Sequence, residues 1–218
     1  MESVIVQVAD LAGTFIFAVT GAVKGVRKRL DIFGVTVLAC CVGVGGGIIR
    51  DLMIGVHPVS ALKNEYYLLL CIISGAAIFA TAKYWMRLRN IIQLGDAFGL
   101  GVFTFLGAQR AFEAGLENTG IILCGVVTAI GGGIIRDVLS GTVPVVLKSD
   151  FYATASVIGG ILFGILVNHD VHVSICFPVV AGVVIALRML ALHYKIQLPA
   201  SGYIRHEKTK MPEKCRKG

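Results

Sequence analysis

The chain of 218 residues alternates long apolar runs with short polar links. A helix needs about 17 to 25 residues to cross a bilayer, and each run provides a stretch of about that length. We therefore predict seven transmembrane helices and an all-α membrane protein. The predicted spans are Val4 to Val23, Ile32 to Val56, Tyr66 to Trp85, Ile91 to Ala108, Gly120 to Leu139, Phe151 to Val167 and Val173 to Leu192.

The composition supports this class. Hydrophobic residues make up 56% of the chain and charged residues only 15%, whereas about a quarter of a soluble domain is charged. A soluble protein with buried strands is the alternative, but the polar links are too short to supply its solvated surface. The first apolar run has no basic stretch before it and no clear cleavage site, so we interpret it as a retained span.

Neither the cysteines nor the histidines indicate a metal or redox site. The six cysteines form no CxxC pair, and most lie inside apolar runs, where a thiol packs as a small residue. His169, Asp170 and His172 have a metal-like spacing but lack a second ligand pair, so we predict no metal. No Ser/His/Asp set, P-loop or dinucleotide fingerprint occurs, and we predict a protein that is not an enzyme and has no cofactor.

The net charge of +7 is unevenly distributed, which predicts the orientation. Lys and Arg cluster in 24–29, 83–89 and 195–218, and such clusters are typical of cytoplasmic segments. The N-terminus is therefore predicted outside and the C-terminus in the cytoplasm. The basic tail has no interleaved aromatic residues, so we interpret it as a topology signal or a contact with anionic lipid, not as a nucleic-acid site.

The sequence repeats itself with a shift that brings Gly45 onto Gly131. The run GGGIIRD occurs in both copies, at 45–51 and 131–137. Further identities in the same register pair Asp10 with Asp96, Gly13 with Gly99, Phe17 with Phe103, Gly55 with Gly141, Pro58 with Pro144 and Tyr66 with Tyr152. We predict a first three-helix repeat at 1–89, a second at 90–170, a seventh helix at 171–194 and a basic tail at 195–218.

Because each repeat has three spans, the second repeat is predicted to be inverted relative to the first. Inverted repeats are typical of transporters and channels, whose sites lie between the copies where helices are broken. Glycine weakens a helix interior by about 1 kcal/mol relative to alanine, so we expect the triple glycines to break their helices and line a pore. Close helix packing is the alternative. These candidate residues are Gly45, Gly46, Gly47, Gly131, Gly132 and Gly133.

The charged residues predicted inside the membrane form the second candidate set. They are Asp10, Arg50, Asp51, Asp96, Arg136 and Asp137. Adjacent helical residues do not face each other, so we expect Arg50 to pair with Asp10, and Arg136 with Asp96. The carboxylates outnumber the guanidinium groups by two, which favours cations along a water-filled path. Such pairs can also simply lock helices together.

Two inverted three-helix units with GGGIIRD motifs on helices two and five, followed by a seventh helix, resemble the trimeric intracellular cation (TRIC) channel family. The similarity extends over residues 4–194 and is to the prokaryotic branch, whose domain also carries the label glycine transporter. The resemblance implies a homotrimer in a prokaryotic cell membrane, surrounded by lipid. It also implies one pore per subunit, lined by helices one, two, four and five, with helices two and five kinked at their glycines, that passes potassium, sodium and other monovalent cations.

The sequence departs from the animal members of that family in one respect. Those members carry a Lys-Glu-Val motif on the second helix and bind a phosphoinositide beside it, and this chain has no Lys-Glu-Val. Three functions stay open at this point: a cation channel, a secondary transporter of a small zwitterion such as glycine, and a membrane scaffold without permeation. A broken helix with free amides and carbonyls would suit an amino acid.

Overall fold

The computed structural model describes residues 4–88, 90–147 and 151–194, so the predicted basic tail lies outside the described residues. Within these ranges the regular structure is entirely helical. The elements are α1 (Val4–Arg27), α2 (Ile32–Met53), α3 (Ser60–Lys63), α4 (Glu65–Ala80), α5 (Ala82–Trp85), α6 (Ile91–Glu113), α7 (Asn118–Leu139), a 3-10 helix (Val145–Leu147), α8 (Ala153–Asn168) and α9 (Val173–Tyr194).

Five of the described helices are long and apolar enough to cross a membrane, namely α1, α2, α6, α7 and α9. The apolar helices α4 and α8 have 16 residues each, slightly fewer than a typical span. Large apolar side chains such as Phe33 are exposed, whereas Arg50 and Arg136 are buried. This inside-polar, outside-apolar arrangement is that of a multi-pass membrane protein.

The third predicted span, Tyr66 to Trp85, consists of two helices and not one. The α4 helix ends at Ala80, and α5 begins at Ala82. Between them the Thr81 hydroxyl donates to the Ala77 carbonyl at 2.6 Å and accepts from Trp85 Nε1 at 2.9 Å. The Thr81 hydroxyl thus bonds one residue in each of the two helices.

The helices α2 and α7 end in the same way. After α2, Gly55 has a positive φ of 73°, and the Val56 amide donates back to the Asp51 carbonyl at 2.9 Å. After α7, Gly141 has a φ of 66°, and the Thr142 amide donates to the Asp137 carbonyl at 2.8 Å. Each is a Schellman ending that needs glycine in the left-handed region. The repeated sequence therefore produces a repeated structure.

The two repeats pack on each other through equivalent helices, α1 against α6 and α2 against α7. The rings of Phe17 and Phe103 lie 5.0 Å apart. A Cβ at Gly13 would lie 3.0 Å from the Phe103 ring, and a Cβ at Gly99 would collide with the Phe17 ring. Each phenylalanine thus covers the glycine of the other repeat, so α1 and α6 run antiparallel. The α9 helix packs against α6 and α8.

Candidate functional site

The triple glycines lie where α2 crosses α7. A Cβ added at Gly46 would collide with the carbonyl oxygen of Thr128, and a Cβ added at Gly132 would lie 2.5 Å from the carbonyl oxygen of Val42. A Cβ at Gly131 would lie 3.2 Å from Cα of Gly46. The two backbones therefore touch at the crossing, and only glycine allows so close an approach.

The glycines do not interrupt their helices. Both α2 and α7 continue through them as α-helix, from Ile32 to Met53 and from Asn118 to Leu139. The expectation that the triple glycines unwind the helices is therefore wrong, and the alternative of close packing describes Gly46 and Gly132. The intrinsic weakness of glycine in a helix is offset here by contact with the facing helix, which stabilises most helices in proteins.

The third glycine of each motif lies beside the arginine of the same motif. A Cβ at Gly47 would lie 3.7 Å from Nη2 of Arg50, and a Cβ at Gly133 would lie 4.0 Å from Nη2 of Arg136. Residues three apart share one face of a helix, so each guanidinium folds back over the glycine one turn earlier. GGGIIRD therefore places a helix crossing and a buried arginine within two turns.

In the second repeat, two aspartates bind Arg136. Its Nη1 donates to Oδ1 of Asp96 at 2.5 Å and its Nη2 to Oδ2 at 3.0 Å, while Nε donates to Oδ1 of Asp137 at 3.1 Å. Nη1 also lies 3.3 Å from the hydroxyl of Thr20 in the first repeat. The predicted pair of Arg136 with Asp96 is confirmed, and its fork-to-fork geometry is the strongest form of this contact.

In the first repeat, Arg50 has a different partner from the one expected. Its Nε donates to Oδ1 of Asp51 at 2.9 Å, and its Nη2 lies 2.8 Å from the same oxygen as an ion pair. The predicted pair of Arg50 with Asp10 is wrong: among the described residues no hydrogen bond or ion pair joins them, and Oδ2 of Asp10 accepts a hydrogen bond from the Tyr67 hydroxyl at 2.9 Å. The rule that adjacent helical residues face apart describes their Cβ directions, and the long arginine side chain reaches back to its neighbour.

The aspartates of the two motifs also hold the segments that follow their helices. Oδ2 of Asp51 accepts from the Ser60 amide at 2.7 Å, and Ser60 is the first residue of α3. Oδ2 of Asp137 accepts from the Val145 amide at 3.0 Å, and Val145 begins the 3-10 helix. Each carboxylate joins an arginine to a backbone amide. We infer that Asp51 and Asp137 hold in place the segments that follow α2 and α7.

Two cations near the second-repeat cluster were not among the predicted site residues. Lys24 Nζ lies 3.5 Å from Oδ1 of Asp137, and the guanidinium of the buried Arg188 lies 4.8 Å from the centre of the Tyr152 ring. A single arginine inside a membrane span is a candidate functional residue by default, so Arg188 was detectable in the sequence. Lys24 was assigned to a cytoplasmic loop instead.

These cations change the expected charge balance. With Lys24 and Arg188 included, the four aspartates face four cations, so the predicted excess of two negative charges does not hold for the whole set. Lys24 and Arg188 lie at the second-repeat cluster, whereas Asp10 and Asp51 of the first lie near Arg50 and near Arg110, which lines the vestibule. Asp10 and Lys24 are about 20 Å apart along α1 at 1.5 Å per residue, so the clusters lie towards opposite ends.

Two neighbouring cavities lie at the first-repeat cluster. The larger, which we call the vestibule, has a volume of about 670 Å³ and is lined by His57, Lys63 and Arg110 among others. The smaller, which we call the Arg50 chamber, has a volume of about 20 Å³ and lies against Asp10 and Arg50. Ser60 and Tyr67 line both cavities. A separate groove of about 520 Å³ beside Phe15, Ile78 and Phe98 has an almost wholly apolar lining.

The fold and these buried charges define an all-helical, multi-pass membrane protein built from two similar units. The family model described as Glycine transporter matches residues 7–83 and again residues 93–168, once in each unit. The chain belongs to this family. It is 34% identical over 193 residues to the UPF0126 inner membrane protein YadS of Escherichia coli strain K12, an alignment that covers 87% of this chain and 93% of YadS.

The structure is similar to solved TRIC channels. The TRIC trimeric intracellular cation channel orthologue from Rhodobacter sphaeroides matches with a TM-score of 0.86 and 33% identity, over 89% of this chain and all of that chain. A prokaryotic TRIC channel studied in 0.5 M KCl matches with a TM-score of 0.83 and 34% identity, over 89% and 98% of the two chains. The resemblance to the prokaryotic TRIC branch is thus confirmed.

Proposed function

We propose that the protein is a monovalent cation channel that passes potassium, assembled as a homotrimer with a pore inside each subunit. The observation that carries this proposal is the match to prokaryotic TRIC channels over 89% of the chain. Antiparallel packing of α1 against α6 supports the inverted relation of the two repeats. It also supports a pathway between them, since transporters and channels of this architecture use that interface.

Along this pathway we assign the narrowest point to the crossing of α2 and α7 at Gly46 and Gly132. The absence of side chains there leaves backbone facing backbone, so a modest separation of the two helices would open a passage lined by carbonyl groups. The first-repeat cluster, with Asp10 and Asp51, supplies the negative charge that favours cations at one end. The second-repeat cluster, with its bidentate pair, holds the other end together.

Reconstitution in a planar bilayer tests the proposal. Under a potassium chloride gradient, we expect unitary currents whose reversal potential lies near that of potassium. Reversal near the chloride potential, or no current from protein that is folded and assembled, would overturn it. Cross-linking in native membranes is expected to stop at three subunits, and a ladder ending at two would contradict the trimer.

A transporter of a small zwitterion such as glycine is the second candidate function. The description of the matching family model favours it, and the vestibule offers Lys63 and Arg110 for a carboxylate, with Asp10 near for an ammonium group. Saturable uptake of labelled glycine into proteoliposomes, without unitary currents, would support the transporter over the channel. The same preparation serves both assays, so the two outcomes are directly comparable.

We further propose that the N-terminus faces outside and the C-terminus the cytoplasm of a prokaryotic cell. The clusters of Lys and Arg at 24–29 and 83–89 support this orientation. Reporter fusions test it: alkaline phosphatase, which is active outside, and a fluorescent protein, which matures inside, are placed in turn after residue 194. Fluorescence without phosphatase activity is expected, and the reverse would contradict the proposed orientation.

A further inference from the structure

The two repeats place equivalent arginines in different surroundings. In the second repeat, each of the three guanidinium nitrogens of Arg136 donates to a carboxylate. In the first repeat, Nη1 of Arg50 has no hydrogen-bond partner among the described residues, although its side chain is only 2% exposed. A buried donor of a charged group is costly to leave without an acceptor. The first repeat therefore lacks a partner that the second has.

The Arg50 chamber offers space for that partner. Its volume of about 20 Å³ is lined by Asp10, Thr14, Arg50 and Tyr67 among others, and a water molecule needs roughly 10 to 15 Å³ with several polar neighbours. The corresponding pocket beside Arg136 has no room for one. The two cavities differ in volume as the two arginines differ in bonding. In the second repeat the carboxylate of Asp96 lies against the guanidinium of Arg136, whereas in the first repeat no carboxylate bonds Nη1 of Arg50.

The chemistry of the chamber selects the occupant. The arginine can only donate, and the carboxylate of Asp10 can only accept while it is ionised, so the bridging species must accept from one and donate to the other. The positive charge of Arg50 would repel a free cation, and the negative charges of Asp10 and Asp51 would repel an anion. Water satisfies both groups, and it would join Arg50 to Asp10 as a separated pair in place of the direct pair predicted from the sequence.

We propose that the Arg50 chamber is a binding site for a single water molecule, which bridges Arg50 to Asp10 and exchanges with the vestibule past the side chain of Tyr67. Tyr67 lines both cavities, and its hydroxyl is bonded to Asp10 at 2.9 Å. The tyrosine therefore separates the chamber from the larger space. The proposal does not depend on whether the chain conducts ions, because it concerns the hydration of a buried pair in either function.

A structure of the full chain that resolves ordered solvent tests the site itself. We expect one solvent peak within hydrogen-bond distance of both Arg50 Nη1 and a carboxylate oxygen of Asp10. A direct bond between Arg50 and Asp10, or a chamber without density, would overturn the proposal. No corresponding peak is expected beside Arg136, and a peak there would contradict the argued difference between the repeats.

Cysteine labelling tests the route. Thr14→Cys places a thiol on the chamber wall, and a small methanethiosulfonate reagent is added to the assembled protein, with labels counted by intact mass above those of the parent chain. We expect slow labelling that becomes several-fold faster when Tyr67→Ala is added. The matched control is Tyr66→Ala, because Tyr66 lines the vestibule but not the chamber, and it is expected to leave the rate unchanged.

A second control separates access from unfolding. Thr104→Cys makes the same chemical change at a fully buried position of α6 whose hydroxyl bonds Ser156 at 2.7 Å, outside both cavities. It is expected to stay unlabelled in every background. If Tyr67→Ala leaves the labelling of Thr14→Cys unchanged, or if Tyr66→Ala accelerates it equally, Tyr67 does not control the route. Labelling of Thr104→Cys would show that the faster labelling of Thr14→Cys results from unfolding, and this outcome would also contradict the proposal.

Discussion

Asp96 and Arg136 face each other across α6 and α7 through two parallel hydrogen bonds of 2.5 Å and 3.0 Å, and both side chains are buried. Nothing comparable joins the equivalent Asp10 and Arg50, whose nearest bonded partners are Tyr67 and Asp51. The duplicated sequence therefore contains one arginine fully bonded by protein and one that is not. We expect the two halves to respond differently to the same substitution.

Removal of the Arg136 charge is expected to be the more damaging of two matched changes. Arg136→Gln leaves Asp96 and Asp137 buried beside each other, and breaking a buried ion pair typically costs about 3 to 5 kcal/mol. Arg50→Gln leaves Asp51 with its Ser60 amide and next to a chamber that water can enter, so a smaller loss is expected. Thermal unfolding of both variants in detergent measures the difference.

The pair itself can be isolated with a double variant. Asp96→Asn combined with Arg136→Gln removes both charges and keeps groups that can still hydrogen-bond, so it is expected to be more stable than Arg136→Gln alone. If the double variant is less stable than either single variant, the cost lies in side-chain packing and not in an unpaired buried charge.

The helix crossing predicts different costs for the same substitution at two glycines of one motif. Gly46→Ala would drive a methyl group into the Thr128 carbonyl, and overpacking of this kind costs about 1 to 3 kcal/mol. At Gly47 the nearest atom is Nη2 of Arg50 at 3.7 Å, so Gly47→Ala meets no backbone atom; because Gly47 also lines the Arg50 chamber, it is expected to cost less than Gly46→Ala but not to stabilise the protein. Unfolding temperature and the yield of assembled protein measure both.

This expectation differs from the one that a helix break would suggest. A glycine that only loosened its helix would be replaced by alanine with a gain in stability at either position. Equal stabilisation by Gly46→Ala and Gly47→Ala would therefore contradict the packing role of Gly46. A Cβ added at Gly132 would lie 2.5 Å from the carbonyl oxygen of Val42, so Gly132→Ala is expected to destabilise the protein as Gly46→Ala does.

Much of the fold could be predicted because hydropathy and repetition are properties of the chain alone. The long spans follow from apolar length, and the Schellman endings at Gly55 and Gly141 follow from the repeated positions of glycine. The pair of Asp96 with Arg136 was predicted because both residues lie at one depth in the membrane, but the same argument predicted the pair of Asp10 with Arg50, which the structure lacks. Depth is determined by the distance of a residue from the end of its helix.

The errors arose where the outcome depended on another part of the chain. The unfavourable effect of three glycines on helix stability can be predicted from the sequence. The contact of Gly46 with Thr128 that offsets it depends on how the two repeats pack together. The missing direct bond between Arg50 and Asp10 depends on the surroundings of Asp10, whose carboxylate is bonded by the Tyr67 hydroxyl, and the position of Tyr67 depends on how residues 54–64 return to the bundle.

The anchoring role of Asp51 predicts a local effect on the segment after α2. Asp51→Ala removes the acceptor of the Ser60 amide, and an unsatisfied buried group costs about 1 to 3 kcal/mol. Hydrogen exchange of the peptide containing residues 56–64 is expected to accelerate. The matched control is Ser60→Ala, which keeps the backbone amide and is expected to exchange at the rate of the unmodified protein.

A change in exchange spread over the whole protein would indicate a different role for Asp51. In that case its bonds to Arg50 would support the bundle as a whole and not the α3 segment in particular. The equivalent change Asp137→Ala is expected to expose the segment that begins at Val145. It also removes a partner of Arg136 and Lys24, so its effect on global stability is expected to be the larger of the two.

The position of Asp10 predicts that it contributes to cation preference in the proposed channel. Asp10 lies on the wall of the Arg50 chamber, next to the vestibule, and its Tyr67 bond can persist with an asparagine acceptor. Asp10→Asn removes one negative charge there. A unit charge acting over about 4 Å in water contributes about 1 kcal/mol, which corresponds to about a fivefold fall in the permeability ratio of potassium to chloride.

The reversal potential in a planar bilayer under a potassium chloride gradient measures that ratio. The matched control is Asp31→Asn, an exposed residue that accepts from the Gly34 amide at 2.7 Å at the start of α2. Asparagine caps a helix about as well as aspartate, so this control loses one charge about 28 Å from Arg50 along α2, at 1.5 Å per residue. If both variants shift the ratio equally, the effect is one of net charge. An assembled, conducting Asp10→Asn protein with an unchanged ratio would assign the cation preference elsewhere, because the charge at the first-repeat cluster would then play no part in it.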